Sequence, residues 1–250
     1  MPVMRGLGLR IRVDGRIRSG HDEGAKGDGS HYLAARMGFP PTLTEGYRSF
    51  LGERFARERT RWARLAEGQR PEIMVISCCD SRVSPEVVFD ASPGEIFVAR
   101  NVANLVPPYE TQGLYHGASA AVEFAVRALK VKHIVVLGHA KCGGIQAYES
   151  AAAPLTTGDF VGNWLSLIKP AAERVRAENA GAKPGTAEFL RKLEMATVEL
   201  SLGNLLTFPW VKALVEQGRL QLHGAYFGVG DGVLWVRDEA SGAFNRLTME

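Results

Sequence analysis

The sequence predicts an α/β fold: a mostly parallel four-stranded sheet plus an antiparallel edge strand, flanked by helices. Three observations carry this. Short apolar runs at 73–77, 95–99, 133–137 and 220–226 alternate with longer stretches of helical periodicity, the pattern of a parallel sheet wound through right-handed crossovers. The last run is followed by Gly230-Asp231-Gly232 and then Val233–Val236, a hairpin that adds a fifth, antiparallel strand. The composition is ordinary for a globular chain, 46% hydrophobic and 23% charged over 250 residues, enough for one core.

In chain order, residues 1–36 contain seven glycines and little apolar periodicity, so they read as a flexible N-terminal tail. Met37 directly precedes the first folding signals and offers an alternative start. Residues 37–250 are expected to form a single α/β catalytic domain. Thr42 and Glu45 have the spacing of a capping box. Tyr47, Leu51, Phe55, Trp62 and Leu65 then recur at helical spacing, giving an amphipathic helix to about Glu67 with a break near Gly52. Gly68-Gln69-Arg70-Pro71 ends it, and the first strand follows. Ser84-Pro85 opens a short helix with serine as N-cap and proline at its first position. Ser92-Pro93-Gly94 turns into the second strand, which ends on Arg100-Asn101. A helix spans 113–130, with small residues on one face, and leads to the third strand, ending on Gly138-His139. Lys141-Cys142-Gly143-Gly144 starts a further helix. Helices at about 163–180, 185–206 and from Pro209 to about Gln217 precede the fourth strand.

Composition also excludes classes. No run has the length of apolar sequence that a membrane span needs, and no apolar segment precedes a small-residue cleavage site, so neither membrane nor secretory signal is expected. The net charge of +3 resides in residues 1–36, leaving the body neutral and without a basic stripe for nucleic acid. The three cysteines all fall between positions 78 and 142. An odd, clustered set suits metal binding or catalysis in a reducing, cytoplasmic setting better than disulfides.

The chemistry gathers at strand ends. The first strand delivers Cys78, Cys79, Asp80 and Arg82, and the third delivers His139 and Cys142. Carboxyl ends of parallel strands face one crevice, where open α/β sheets bind ligands. Two thiolates and an imidazole make the three-ligand set of an open catalytic zinc site. Alternation along the strand puts Asp80 on the face of Cys78 and Cys79 on the other, so Cys79 reads as a buried packing residue. Arg82 is the partner expected to hold Asp80 ionised through a bidentate pair. Cys142 sits at a helix start, where the dipole favours thiolate, and Gly143 and Gly144 would let backbone approach the metal. His133 reads as structural or exposed, and His116 and His223 as core or surface residues. Arg100-Asn101 reads equally as a loop anchor or as a cleft residue.

Cys78-x-Asp80-Ser81-Arg82 with His139-x-x-Cys142-Gly143-Gly144 resembles the zinc signature of the beta-class carbonic anhydrases. The resemblance extends through Ser92-Pro93-Gly94-Glu95, 97–104 and the 117–125 helix, and covers about residues 37–240. It implies one Zn2+ per subunit on Cys78, His139 and Cys142, with Asp80 and Arg82 as catalytic dyad. The implied reaction is reversible hydration of carbon dioxide to bicarbonate and a proton by zinc-bound hydroxide. It further implies substrate contacts from Gln69 and Phe97, and a homodimer or dimer of dimers in which the N-terminal helices pack on a partner subunit. Some relatives carry tryptophan three residues before the first zinc cysteine, in a non-catalytic bicarbonate pocket. Val75 stands there, which implies the plant-like subtype without that pocket. Two other readings remain beside this one. A hydrolase of the same fold could act on another small linear molecule such as carbon disulfide, and a zinc or thiol sensor would have no use for Asp80, Arg82 or Gln69.

Overall fold

The computed structural model describes residues 39–113, 115–178 and 183–248. The expected tail at 1–36 lies outside them. The chain divides after Arg59 into two units, each described by itself.

In the first unit, α1 (Pro41–Phe50) continues through a π-helical turn at Leu51–Phe55, so the expected break at Gly52 is a local widening of the helix. The capping box is not used. Pro40 is the N-cap and Pro41 the first helical residue, with no side-chain cap. Proline's fixed φ and missing N–H suit that first position, so Pro41 starts the helix one residue before Thr42. None of the residues of α1 is buried. Phe39, Leu43, Tyr47 and Leu51, spaced by four, are all exposed.

The second unit opens with the rest of α2 (Arg59–Ala66) and is built on a six-stranded sheet ordered β2-β1-β3-β4-β5-β6. The strands are β1 (Ile73–Cys78), β2 (Ile96–Asn101), β3 (His133–His139), β4 (Gln221–Phe227), β5 (Leu234–Arg237) and β6 (Phe244–Arg246). The first four are mutually parallel, and β5 and β6 are antiparallel. The three-residue β6 adds a strand to the five expected and takes the edge position from β5. Helix α3 (Pro85–Val88) has Ser84 as N-cap, as expected, although its hydroxyl donates to Glu86 Oε2 instead of capping an N–H. The expected 113–130 helix begins later, as α4 (Gly117–Glu123), and finishes as a π-helical turn, Phe124–Leu129. Then come α5 (Gly143–Glu149), α6 (Phe160–Leu165), α7 (Lys169–Glu178), α8 (Ala187–Leu205) and α9 (Pro209–Glu216).

Alternation along β1 and β3 sends Met74, Ile76, Ile134 and Val136 into one core. Val122, Ala125 and Val126 join them from the α4 segment, Val198 and Leu205 from α8, and Val211 from α9. A second core lies beyond the strand ends and contains Cys78, Val83, Ala103, Cys142, Ile145, Leu165, Phe189 and Leu193. Helix α8 spans both. Its close contact with β3 needs Gly138, where a Cβ would fall 2.6 Å from Val198 Cγ2. The absent side chain lets a helix press on the strand one residue before His139.

Candidate metal centre

The register explains why distant residues meet. β1 and β3 run side by side with Ser77 opposite Leu137, so Cys78 and His139 leave the sheet at neighbouring points of its carboxyl edge. Just beyond β3, Lys141 adopts a left-handed φ of 58°, reversing the chain so that Cys142 becomes the N-cap of α5. The ligand atoms of Cys78, His139 and Cys142 lie within 4.8 Å of one another, and all three residues are buried. Among the described residues no other trio of metal-binding side chains is so placed.

The donor set fits a tetrahedral soft metal. Cys78 Sγ and Cys142 Sγ are 3.9 Å apart, close to the ~3.8 Å separating two thiolates held at about 2.3 Å by tetrahedral zinc. His139 Nδ1 lies 2.9 Å from the Ala140 carbonyl and is assigned as its donor. Nε2 is therefore left with its lone pair, buried and without a hydrogen-bond partner. A buried unsatisfied nitrogen between two thiols is the feature that a metal ion would complete. The thiols are unequal without it. The hydrogen bond from Cys142 pulls Cys78 down to about 4, and the same contact pushes Cys142 upward.

Asp80 lies outside the trio and is clamped by Arg82. The guanidinium donates twice, Nε to Oδ1 at 2.9 Å and Nη2 to Oδ2 at 2.6 Å, and the Arg82 backbone N–H adds a third bond to Oδ1 at 3.0 Å. This side-chain hydrogen bonding holds the Asp80 carboxyl well below the usual carboxylate range. Arg82 Nη2 also reaches the Lys141 carbonyl at 3.1 Å, tying the dyad to the turn before Cys142.

Arg100 and Asn101 are loop anchors. Arg100 donates to the carbonyls of Cys78 and Asp80 at 2.8 and 2.7 Å, fixing the backbone between ligand and dyad. The Asn101 amide bridges both backbone polar groups of Leu105. Sequence reasoning missed Glu194. It is 4% exposed, takes the Cys142 backbone N–H on Oε1 at 3.0 Å and the Tyr226 hydroxyl on Oε2 at 2.7 Å, and burial pushes its carboxyl up. Its only sequence signal is an acidic residue on the inner face of an otherwise ordinary helix.

Two expectations are corrected. Cys79 is exposed, because the strand ends at Cys78 and the next residue leaves on the turn. Gly144 makes room for protein, not metal: a Cβ there would meet Val102 Cγ1 at 2.9 Å and the Ala103 Cβ at 3.2 Å. Gln69 is exposed in the loop between α2 and β1. Phe97 meets Phe124 in a tilted contact, 5.8 Å between ring centroids, and packs against the core under the sheet, not the one holding the thiols. His116 stands apart, 3.6 Å from Glu110. Among the described residues no helix is long and apolar enough to cross a membrane.

The comparisons with known proteins agree with this geometry. The family model described as carbonic anhydrase matches residues 73–234. Beta carbonic anhydrase 5, chloroplastic, of Arabidopsis thaliana is 39% identical over 179 residues, which is 71% of this chain and 58% of that protein, so the chain spans less than two thirds of that relative's length. The solved beta-carbonic anhydrase CcaA superposes with a TM-score of 0.77 at 28% identity, over 82% of this chain and 98% of that one. A structure of tetrameric beta-carbonic anhydrases from Sordaria macrospora gives 0.68 at 29% identity, over 82% and 97%.

Proposed function

Because this chain belongs to the beta-class carbonic anhydrases, we propose that it catalyses the reversible hydration of carbon dioxide to bicarbonate and a proton. The observation that carries this is the buried trio of Cys78, His139 and Cys142, with the unpartnered Nε2 of His139, beside a carboxylate already clamped by arginine. Zinc is the family's metal, and bound to this trio it would supply Lewis acidity, bringing the ionisation of a water molecule near neutral pH.

The chain's own groups do the rest. Cys78, His139 and Cys142 hold the metal, and the Ala140 carbonyl fixes the imidazole tautomer that presents Nε2. Asp80, kept ionised by Arg82, can only accept hydrogen bonds. It would therefore accept a hydrogen bond from the attacking oxygen and turn that oxygen's lone pair toward carbon dioxide. Arg82 aims the carboxylate, and Arg100 keeps the two carbonyls behind it in register. Glu194 fixes the backbone of the third ligand. The trio itself is buried, whereas Arg82 remains exposed at the mouth of the site.

Gln69 and Phe97 are assigned, through the family resemblance, to a substrate cleft at the boundary between subunits. The assembly is a homodimer or dimer of dimers, a reading supported by the tetrameric relatives and by the exposed stripe Phe39, Leu43, Tyr47 and Leu51, which suits a partner subunit. The resting of Asp80 on Arg82, with Val75 in place of tryptophan, supports the plant-like subtype. Three free thiols support a reducing, cytoplasmic setting. The test is zinc content and stopped-flow carbon dioxide hydration of the purified full chain. About one zinc per chain with hydration across neutral and mildly alkaline pH is expected. Full zinc loading without hydration would overturn the assignment.

A further inference from the structure

Two histidines outside the catalytic centre face each other across neighbouring strands. His133 opens β3, and Val135 of that strand lies opposite His223 of β4, so the two histidines are one step of the pleat apart and on the same face. Their rings are 5.3 Å apart between centroids, and His133 Nδ1 is 3.2 Å from His223 Nε2. The Glu239 carboxylate lies 3.9 Å from His223 Nδ1, the ring nitrogen turned away from the gap. His223 is one-third exposed, so the pair is reachable from solvent.

We propose that His133 and His223 form a second, peripheral site for a divalent transition-metal ion of the zinc type. The spacing carries the proposal. Two imidazole nitrogens bound at ~2.0–2.1 Å to a tetrahedral ion stand about 3.3–3.4 Å apart, and these two already stand 3.2 Å apart. The proton shared in the gap and a metal ion are alternative occupants. The ion moves that proton to Nε2 of His133 by a change of tautomer, which leaves both rings neutral and both facing lone pairs free. Glu239, 3.9 Å away and exposed, makes no hydrogen bond to the ring and adds only a nearby negative charge. Two neutral imidazoles without a thiol suit Zn2+, Ni2+ or Cu2+ and not Mg2+ or Ca2+. No third side chain joins the pair among the described residues, so water fills the remaining positions and binding is weaker than at the thiolate centre. An ion there would staple β3 to β4 at the amino edge, opposite the end of β3 that delivers His139.

The test uses full-length protein already carrying one zinc per chain, titrated calorimetrically with Zn2+. A second equivalent is expected in wild type. It should disappear in His133→Gln and in His223→Gln and change by less than about fivefold in Glu239→Gln, which removes an exposed charge and no hydrogen bond. The first equivalent should persist in all three, which also reports that each variant is folded. A wild-type protein that takes up no second equivalent, or a second equivalent that survives both histidine replacements, would overturn the proposal.

Discussion

β3 begins on His133 and ends on His139, and the two rings meet opposite fates. His139 is 1% exposed, with Nδ1 pinned by a carbonyl and Nε2 left without a partner. His133 is only partly buried and is satisfied by one neighbour, His223. The difference is one of position. At the carboxyl edge of a parallel sheet, chains leave the strands and turn into helices, so several backbones and side chains converge on one point. There Cys78, Cys142, Asp80, Arg82, Arg100 and Glu194 fix one another through distances set by the fold. At the amino edge a side chain meets mainly the strand beside it. Burial with an open valence marks the candidate metal end of β3, and partial exposure with a closed hydrogen bond marks the other.

The largest expected effect breaks this comparison outright. His139→Asn should lose zinc, and with it hydration activity to the limit of detection, whereas His133→Asn should keep both the catalytic zinc and the activity. Metal analysis beside stopped-flow hydration reads this, and equal losses in the two variants would abolish the distinction. The next effect sharpens the account of convergence. Glu194→Leu leaves the Cys142 N–H and the Tyr226 hydroxyl buried without acceptors, at about 1–3 kcal/mol for each orphaned group. Urea unfolding should show that loss, zinc affinity should fall about 10–100-fold as for other supports of a metal ligand, and Glu194→Gln, which keeps an acceptor oxygen, should recover part of both.

The smallest effect belongs to the amino edge. Burial, assisted by His133, lowers the His223 imidazole below its ordinary 6.5, so the folded protein binds fewer protons there than the unfolded chain. The resulting stability is present above pH ~6.5 and is lost as pH falls through the lowered folded-state value. Unfolding free energy measured on the acid side of neutrality should therefore fall less steeply in His223→Gln than in wild type. An unchanged slope would show that the ring is not held neutral by its surroundings.

Much of the candidate metal centre was legible because strand termini follow from local sequence pattern. Cys78 and His139 each end a strand, and the parallel order brings them to one edge. The bidentate Asp80–Arg82 pair needed only two side chains of opposite charge two residues apart. Glu194 was not legible, since its role depends on α8 crossing β3 at Gly138, a contact between residues far apart in sequence. Cys79 was misread because alternation was carried one residue past the end of β1. The short β6 was missed because three residues hold too little pattern to separate from a loop. The start of α1 was misplaced by weighing a capping-box spacing above the preference of Pro41 for the first helical position.

The central claim is that Asp80, held ionised by Arg82, orients the nucleophile beside a metal bound by Cys78, His139 and Cys142. Stopped-flow carbon dioxide hydration of zinc-loaded Asp80→Asn against wild type tests it most directly. The account predicts unchanged zinc content with kcat reduced about 10²-fold or more, the scale of losing a positioned acid–base group. Full zinc loading with hydration equal to wild type would contradict it.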